Sequence, residues 1–248
     1  MKKYLFALLF SARLFASPEP TPLVVGTTSG YAPYVSLDAK GNYEGFDIDF
    51  AEALGQKLGR KVIIKDCGSM PSLLLALQQK KVDLLIWAIS ITEARQQKME
   101  MVYYQGEKVT SMPFLFWQTA PESVTSIEEL AGSTVSVEAG SFQENVLKKY
   151  PAVALKQVEK ITDALMEIRY GKSRAAMADP SLISELTTRH PELKVVYLPL
   201  SAEDYSLGNG ICIQKANAPL AEDVKRATEQ LIEEGKVAAL EKKWNLGQ

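Results

Sequence analysis

The sequence predicts an α/β fold with two lobes and a ligand cleft between them. Its first third alternates apolar, strand-like runs with amphipathic stretches in a β-α-β-α-β order, which favours right-handed crossovers and a mostly parallel sheet. The middle of the chain repeats this alternation with elements of its own. The last two predicted helices have no strands of their own, so we expect the chain to return and pack on the first unit.

The first predicted unit contains three strands with two helices between them. In chain order these are strand Leu23–Thr27, helix Asp47–Leu58, strand Val62–Lys65, helix Ser69–Gln79 and strand Val82–Ala88. The second of these helices begins with a Ser, a residue type that caps free helix amides, and a Pro two residues later fits its first turn.

The second predicted unit lies in the middle of the chain. It comprises strand Thr134–Glu138, helix Ser141–Tyr150, helix Thr162–Tyr170, strand Arg174–Ala178 and a helix after Asp179-Pro180. A further strand and two helices finish the chain, at Gly208–Ile213, about Pro219–Glu234 and Lys236–Trp244.

These units define the expected lobes. Lobe 1 is predicted to comprise residues 22–109 together with the return segment 202–248, and lobe 2 to comprise residues 110–201. The chain would then cross between the lobes twice, near Lys108–Phe114 and near Leu198–Tyr205. Ligands of α/β proteins bind beyond the carboxyl ends of the strands and between domains, so we predict the ligand site in the cleft between the lobes.

Residues 1–16 have the pattern of a secretory signal peptide. Lys2 and Lys3 precede the apolar run Tyr4–Phe10, and Ala16 is a small residue before a Pro-rich stretch. The run is shorter than the roughly 20 apolar residues that span a bilayer, and a buried N-terminal element is the alternative. No Cys lies near the expected cut, so we expect a periplasmic protein without a lipid anchor.

Composition excludes several classes of function. The chain has 28 Lys and Arg against 30 Asp and Glu, a net charge of −2, whereas nucleic-acid-binding proteins usually carry a basic excess. A single His and two Cys leave little material for zinc chemistry or a His-based triad. We therefore expect no nucleic-acid partner, metal or cofactor. Cys67 and Cys212 could form a disulfide in an oxidising compartment or remain two buried thiols, and the sequence leaves both open.

Five segments carry a resemblance to a known family. They are the run GFDIDFAEALG at 45–55 and the shorter segments 26–34, 90–95, 140–144 and 178–179. In this order they resemble the family 3 extracellular solute-binding proteins, which are polar amino-acid receptors of ABC transporters. The resemblance implies a periplasmic-binding-protein-like fold of type II that closes on its ligand. The segment Glu167–Ser173 resembles, more narrowly, the chlamydial arginine-binding receptors of this family.

Arg95 is the candidate for the cation that binds the α-carboxylate of an amino acid. If Thr92 caps a short helix, Arg95 is its third residue, where a positive charge opposes the helix dipole. A residue in that unfavourable position indicates a functional role, since it does not stabilise the helix. A planar guanidinium can bind a carboxylate through two hydrogen bonds. Composition alone favours a surface Arg in the charged run 93–98, whereas the resemblance favours the ligand-binding role.

Three further segments would complete the binding of the α-amino and α-carboxylate groups. Ser90 follows a buried strand, and the resemblance implies that it contacts both groups, although its hydroxyl could instead turn into the following loop. Asp179 is implied to bind the ammonium, while an Asp before Pro is equally suited to cap a helix. Phe142 and Gln143 begin a helix whose free amides could bind an anion, and an ordinary capped helix is the alternative.

Aromatic residues are expected to line the pocket for the ligand's side chain. The resemblance places Tyr31, Phe46 and Trp87 in this pocket, together with Ala88. Flat rings suit a basic ligand because they stack on guanidinium or ammonium groups. Core packing is the alternative for aromatic residues, but Tyr31 follows a Gly in a loop and Phe46 lies between a turn and a helix cap, which favours exposure to the cleft. Thr28 stands where some receptors for basic amino acids carry an acid, so the preference for arginine depends on the rings and on the chlamydial resemblance.

The sequence therefore predicts an exported, monomeric receptor for one amino acid, with arginine favoured, that serves an ABC permease in the inner membrane. The expected protein is not an enzyme. Two alternatives remain open: an enzyme on the same fold, resembling the dehydratases related to these receptors, and an exported sensor or adhesion protein. An enzyme would need a proton donor in the cleft, for which Glu138 or Glu144 could be proposed.

Overall fold

The computed structural model describes residues 20–121 and 123–246. In chain order its strands are β1 (Leu23–Thr27), β2 (Ser36–Leu37), β3 (Tyr43–Glu44), β4 (Val62–Asp66), β5 (Leu84–Leu85), β6 (Glu100–Val109), β7 (Ser111–Trp117), β8 (Thr134–Glu138), β9 (Ala154–Val158), β10 (Ala175–Met177), β11 (Leu193–Pro199) and β12 (Ser206–Ile213). Its α-helices are α1 (Phe46–Leu58), α2 (Met70–Gln78), α3 (Glu93–Gln96), α4 (Phe142–Leu147), α5 (Ile161–Arg169), α6 (Ile183–Arg189), α7 (Ala218–Glu233) and α8 (Lys236–Lys243). Short 3₁₀ helices lie at Glu128–Leu130, Pro180–Leu182 and Ala202–Asp204.

Two mixed five-stranded sheets form the two lobes. The sheet of lobe 1 has the order β4-β1-β5-β12-β6, in which β4, β1 and β5 are parallel and β12 is antiparallel to both of its neighbours. The sheet of lobe 2 has the order β11-β7-β10-β8-β9, with β10, β8 and β9 parallel and β7 antiparallel to β10 and β11. Each sheet therefore combines a parallel part, as the sequence predicts, with an antiparallel part that the sequence does not reveal.

The antiparallel strands also carry the chain between the lobes. Strand β6 ends at Val109 in lobe 1 and β7 begins at Ser111 in lobe 2, with one residue between them. The return runs from Pro199, at the end of β11, to Ser206, at the start of β12. Because Ser206 pairs with Val109, the two connections lie side by side at the base of the cleft.

The terminal helices pack on lobe 1. Helix α7 places apolar residues on one face, including Leu220, Val224 and Leu231, at the spacing that gives a helix one apolar stripe. This face, with Val237 and Leu240 of α8, is buried in the same core as the residues of β1, β5 and α1. The return segment thus contributes packing to lobe 1 and leaves the cleft open to groups from the strand ends.

The described residues bear on three further expectations. Across 20–121 and 123–246, no helix combines the length and the apolar character needed to cross a membrane. In this same part of the chain, no group of three or more His, Cys, Asp or Glu residues is placed to hold a metal ion. Cys67 and Cys212 are both free thiols. The predicted signal peptide, residues 1–16, lies outside the described residues.

Candidate ligand-binding site

A narrow cavity lies between the lobes, at the carboxyl ends of their parallel strands. Lobe 1 lines it with Tyr31, Met70, Trp87, Ala88, Ser90 and Arg95. Lobe 2 lines it with Glu138, Ser141, Phe142, Gln143 and Asp179. Eight of the ten residues that the sequence predicted to bind ligand therefore surround one cavity, while Thr28 and Phe46 do not line it.

Arg95 connects the two lobes inside this cavity. Helix α3 begins after Thr92, whose hydroxyl accepts a hydrogen bond from the Arg95 amide at 3.3 Å, and the side chain of Arg95 is buried, with 7% of the residue exposed. Its Nη1 donates to the carbonyl of Ser90 at 2.9 Å, and its Nη2 donates to the carbonyl of Gly140 in lobe 2 at 3.2 Å. Two carbonyls thus fix the orientation of the guanidinium, and a buried cation faces the cleft.

Asp179 caps a helix and also lies in the cavity. It caps the 3₁₀ helix Pro180–Leu182, since its Oδ1 accepts from the amide of Ser181 at 2.9 Å and from the hydroxyl of Ser181 at 2.5 Å. Its side chain also lines the cavity. Burial raises the pKa of Asp179, and these hydrogen bonds oppose the rise. Both bonds fall on Oδ1, so Oδ2 remains for a ligand.

The start of helix α4 is held by a reciprocal cap. The hydroxyl of Ser141 accepts from the amide of Glu144 at 3.0 Å, and the carboxylate of Glu144 accepts from the amide of Gly140 at 2.5 Å. The amides of Phe142 and Gln143 take no part in this cap, which agrees with the general rule that the first helix amides lack partners within the helix. The cap also occupies Glu144, which does not line the cavity.

The turn after β5 depends on a buried carboxylate. The sequence predicted a strand over Val82–Ala88, but β5 comprises Leu84 and Leu85, and Ala88 beyond it has a positive φ of 43°. The Ala88 amide donates to Asp47 at 2.9 Å, and the Tyr104 hydroxyl donates to the same carboxylate at 2.7 Å. This arrangement holds a turn whose residues Trp87, Ala88 and Ser90 line the cavity, while Ile89 between them is buried in the lobe 1 core.

Asp47 was not among the predicted site residues. It lies on the first turn of α1 with 1% of the residue exposed, and burial raises its pKa to about 7. The signal in the sequence is an acid between Phe46 and Ile48 on the first turn of the helix, because an acid that the neighbouring apolar residues carry into the core needs partners.

The prediction that Phe46 lines the pocket is wrong. Phe46 is fully buried, and its ring lies 6.0 Å from that of Tyr34 and 6.1 Å from that of Tyr104. The preceding Gly45 has φ of 132°, and a Cβ there would lie 2.0 Å from the Tyr34 carbonyl oxygen. This close approach directs the first residue of α1 inward, on the same helix face as Phe50 four residues later.

Tyr31 and Trp87 form the aromatic wall of the cavity. Their ring centroids lie 4.9 Å apart with an interplanar angle of 48°. Trp87 is buried, and its Nε1 donor has no hydrogen-bond partner within the described residues. A buried donor of this kind is costly unless something accepts from it, and both residues line the cavity.

A smaller cavity adjoins this wall. Its lining includes Thr28, Gly68 and Lys160, and it shares Tyr31, Trp87 and Glu138 with the main cavity. The sequence placed Thr28 at the ligand site, and the structure places it at this neighbouring space. Burial raises the pKa of Glu138 to about 8, with a further contribution from Asp179 that Lys160 opposes.

The family of the chain follows from comparison with known proteins. Residues 23–248 match the model of the bacterial extracellular solute-binding proteins, family 3. The chain belongs to this family. The family 3 chain is 30% identical over 223 residues to the probable ABC transporter arginine-binding protein ArtJ of Chlamydia trachomatis, and the match covers 90% of this chain and 85% of the relative.

Solved structures show the same architecture. An ancestral arginine-binding protein bound to arginine superimposes with a TM-score of 0.79 at 28% identity, covering 90% of the family 3 chain and 97% of that protein. An ancestral amino-acid-binding protein described as a precursor of cyclohexadienyl dehydratase superimposes with a TM-score of 0.75 at 27% identity, covering 90% and 94%. The predicted two-lobed, type II fold is therefore confirmed.

Proposed function

We propose that this family 3 protein is the exported, amino-acid-binding subunit of an ABC importer and that arginine is its ligand. The observation that carries the proposal is the buried guanidinium of Arg95, which reaches from lobe 1 to Gly140 of lobe 2 in a cavity that also contains Asp179. An α-amino acid presents a carboxylate and an ammonium at one end, and these two side chains have the complementary charges.

Binding would engage both lobes at once. The ligand's carboxylate would bind the Arg95 guanidinium, and its ammonium would bind Oδ2 of Asp179 and the hydroxyl of Ser90. The side chain would then extend along the wall formed by Tyr31 and Trp87. Because the charged groups come from different lobes, binding stabilises the closed arrangement of the cleft.

Relatives support a basic ligand and a transport role. The chlamydial relative is named as an arginine-binding protein of an ABC transporter, and one of the structural neighbours is an arginine complex. We accordingly propose that the chain acts as a periplasmic monomer, that residues 1–16 direct its export, and that a membrane permease of the ABC type is its partner.

Titration calorimetry against the common amino acids tests the proposal. We expect one site per chain, with arginine binding most tightly and lysine next, because an ammonium also binds a ring face but lacks the planar overlap of a guanidinium. Tighter binding of glutamine or glutamate would contradict the ligand assignment, and the absence of binding to any amino acid would contradict the receptor function.

Glu138 favours one second candidate, an enzyme on the same fold. A buried acid with a pKa raised to about 8 is suited to donate a proton at neutral pH, and one structural neighbour is described as the precursor of a dehydratase. Assays of cyclohexadienyl substrates distinguish the candidates. Turnover that Glu138→Gln abolishes would establish an enzyme, whereas tight arginine binding without turnover would support the receptor.

A further inference from the structure

Within residues 20–121 and 123–246, three residues line both cavities, and these are Tyr31, Trp87 and Glu138. The main cavity contains the groups that suit an α-carboxylate and an α-ammonium, on Arg95 and Asp179. A ligand anchored by those groups would direct its side chain past the three shared residues and toward the smaller cavity. Their chemistry therefore bears directly on which side chain is accepted.

Glu138 is the charged member of this group. It ends strand β8, it is partly buried, and among the described residues no hydrogen bond to its carboxylate contributes to its pKa. Other acids add to the cost of its ionisation, because Asp179 and Asp163 both raise its pKa. A second cation in the cavity would offset both the burial and this repulsion.

The cations already near Glu138 do not fill that role. Lys160, at the start of α5, lowers the pKa of Glu138 only in part, since the net effect of its surroundings is still a raised value. Arg95, on the lobe 1 side, is held by the carbonyls of Ser90 and Gly140. The remaining neighbours, Tyr31 and Trp87, are uncharged.

We propose that Glu138 is the specificity-determining residue of the site and that its carboxylate accepts hydrogen bonds from the guanidinium or ammonium of a basic amino acid. The aliphatic part of that side chain would lie against Tyr31 and Trp87. The inference rests on the proposed function, and it assigns to lobe 2 the acid that Thr28 does not provide in lobe 1.

Trp87 would favour a different kind of ligand side chain from the one that Glu138 favours. Its unpartnered Nε1 donor suits a ligand with an acceptor at the far end of the side chain, which a guanidinium lacks and a neutral urea or amide has. Citrulline differs from arginine by an oxygen in place of one guanidinium nitrogen, so it offers that acceptor without the charge. The ratio of the two affinities therefore compares the charge that Glu138 would recognise with the acceptor that Trp87 would recognise, and its change in a Glu138 variant gives the contribution of the carboxylate.

Calorimetry at pH 8.5 compares the binding of arginine and citrulline to wild type and to Glu138→Gln. The control is Glu192→Gln, which removes the same charge from an exposed acid of the same lobe. We expect wild type to bind arginine at least tenfold more tightly than citrulline. In Glu138→Gln, arginine should lose at least tenfold in affinity, citrulline should change less than threefold, and the control should match wild type. An arginine preference that survives in Glu138→Gln would overturn the proposal. If wild type bound no amino acid, the receptor function itself would fail instead.

Proton release gives a readout that a purely structural role would not change. Ionised Glu138 is the form that binds a cation, so arginine affinity should rise with pH between pH 6 and pH 8 and arginine binding should release a proton within this range. Calorimetry in two buffers of different ionisation enthalpy measures this release. Citrulline binding and binding to Glu138→Gln should release no proton. Equal proton release by wild type and Glu138→Gln on arginine binding would contradict the assignment. Glu138→Gln should also keep the ligand-free Tm of wild type or exceed it, because the change removes a partly buried acid whose ionisation the surroundings oppose.

Discussion

The two lobes contribute different kinds of wall to the cavity. In lobe 1, hydrogen bonds within the lobe fix the site, since the Arg95 guanidinium donates to the Ser90 carbonyl and the Ala88 amide donates to Asp47. Lobe 2 instead brings two carboxylates, Glu138 and Asp179, whose pKa values are both raised by burial. Hydrogen bonds thus fix the Ala88 turn and the Arg95 guanidinium of lobe 1 without a ligand, whereas the lobe 2 wall carries charge that a bound cation would balance.

This difference separates two tasks. A preformed wall in lobe 1 can hold the α-carboxylate that every α-amino acid shares, because its geometry does not depend on the ligand's side chain. In lobe 2, Asp179 would bind the α-ammonium, which is also shared, whereas Glu138 would act on the charge of the side chain, which differs among ligands. A change of ligand class would then require few substitutions in lobe 2 and none in the framework of lobe 1.

The largest expected effect is on the framework of lobe 1. Asp47→Ala removes the acceptor of the Tyr104 hydroxyl and the nearer of the two acceptors of the Ala88 amide, which keeps its hydrogen bond to the Tyr104 hydroxyl at 3.1 Å. We expect a loss of about 2–4 kcal/mol in the free energy of unfolding and a weaker arginine affinity, because the turn at Ala88 is then held less firmly. Urea unfolding and calorimetry measure the two effects.

The neighbouring acid of the same helix provides a matched control. Asp49 accepts from Lys243 and Trp244 at the surface of lobe 1, so Asp49→Ala should cost about 1 kcal/mol or less and leave the affinity unchanged. Asp47→Asn keeps an acceptor for the Ala88 amide and should recover most of the stability. An Asp47→Ala protein as stable as the Asp49→Ala protein would contradict a framework role for Asp47.

The second effect concerns the group that joins the two walls. Arg95→Ala should weaken arginine binding by about 2 kcal/mol, or roughly thirtyfold, because a hydrogen-bonded charge pair with the ligand's carboxylate is lost. Arg95→Lys keeps the charge without the paired hydrogen bonds, so its arginine affinity should lie between those of wild type and Arg95→Ala. Calorimetry compares these variants with Arg226→Ala, which removes an exposed ion pair with Asp223. Equal affinities in all four proteins would rule out the proposed role of Arg95.

The sequence predicted the helices well because residues next to each helix end, such as capping residues, determine where the helix begins and ends. Helix α2 was predicted over Ser69–Gln79, and Ser69 indeed accepts from the Ser72 amide. The long strands β6, β7 and β11 were missed, since none of them alternates regularly between buried and exposed residues and each runs into a predicted crossover. Their partners lie far away in the sequence, and only the folded chain reveals the pairing.

The candidate site was predictable where a motif carried it and unpredictable where only packing decides. Arg95, Ser90 and Asp179 were placed by the resemblance, and the structure brings them to one cavity. Phe46 and Tyr31 looked alike in sequence, each beside a Gly, yet one packs inside and the other lines the cleft. The shape of the turn at Gly45 decides this, and that shape depends on the distant contact with the Tyr34 carbonyl.

The smallest expected effect separates these two aromatic residues. Phe46→Leu should cost about 1 kcal/mol of unfolding free energy, because it leaves a small gap in the core beside Tyr34, Phe50 and Tyr104, and arginine affinity should remain within threefold of wild type. Tyr31→Leu should do the reverse: the ring that faces the ligand is lost, so affinity falls by about 1 kcal/mol while stability changes little, since Tyr31 is only partly buried. Thermal unfolding and calorimetry on the same two samples provide the comparison. A weaker affinity in Phe46→Leu than in Tyr31→Leu would mean that the helix start, and not the aromatic wall, determines the shape of the pocket.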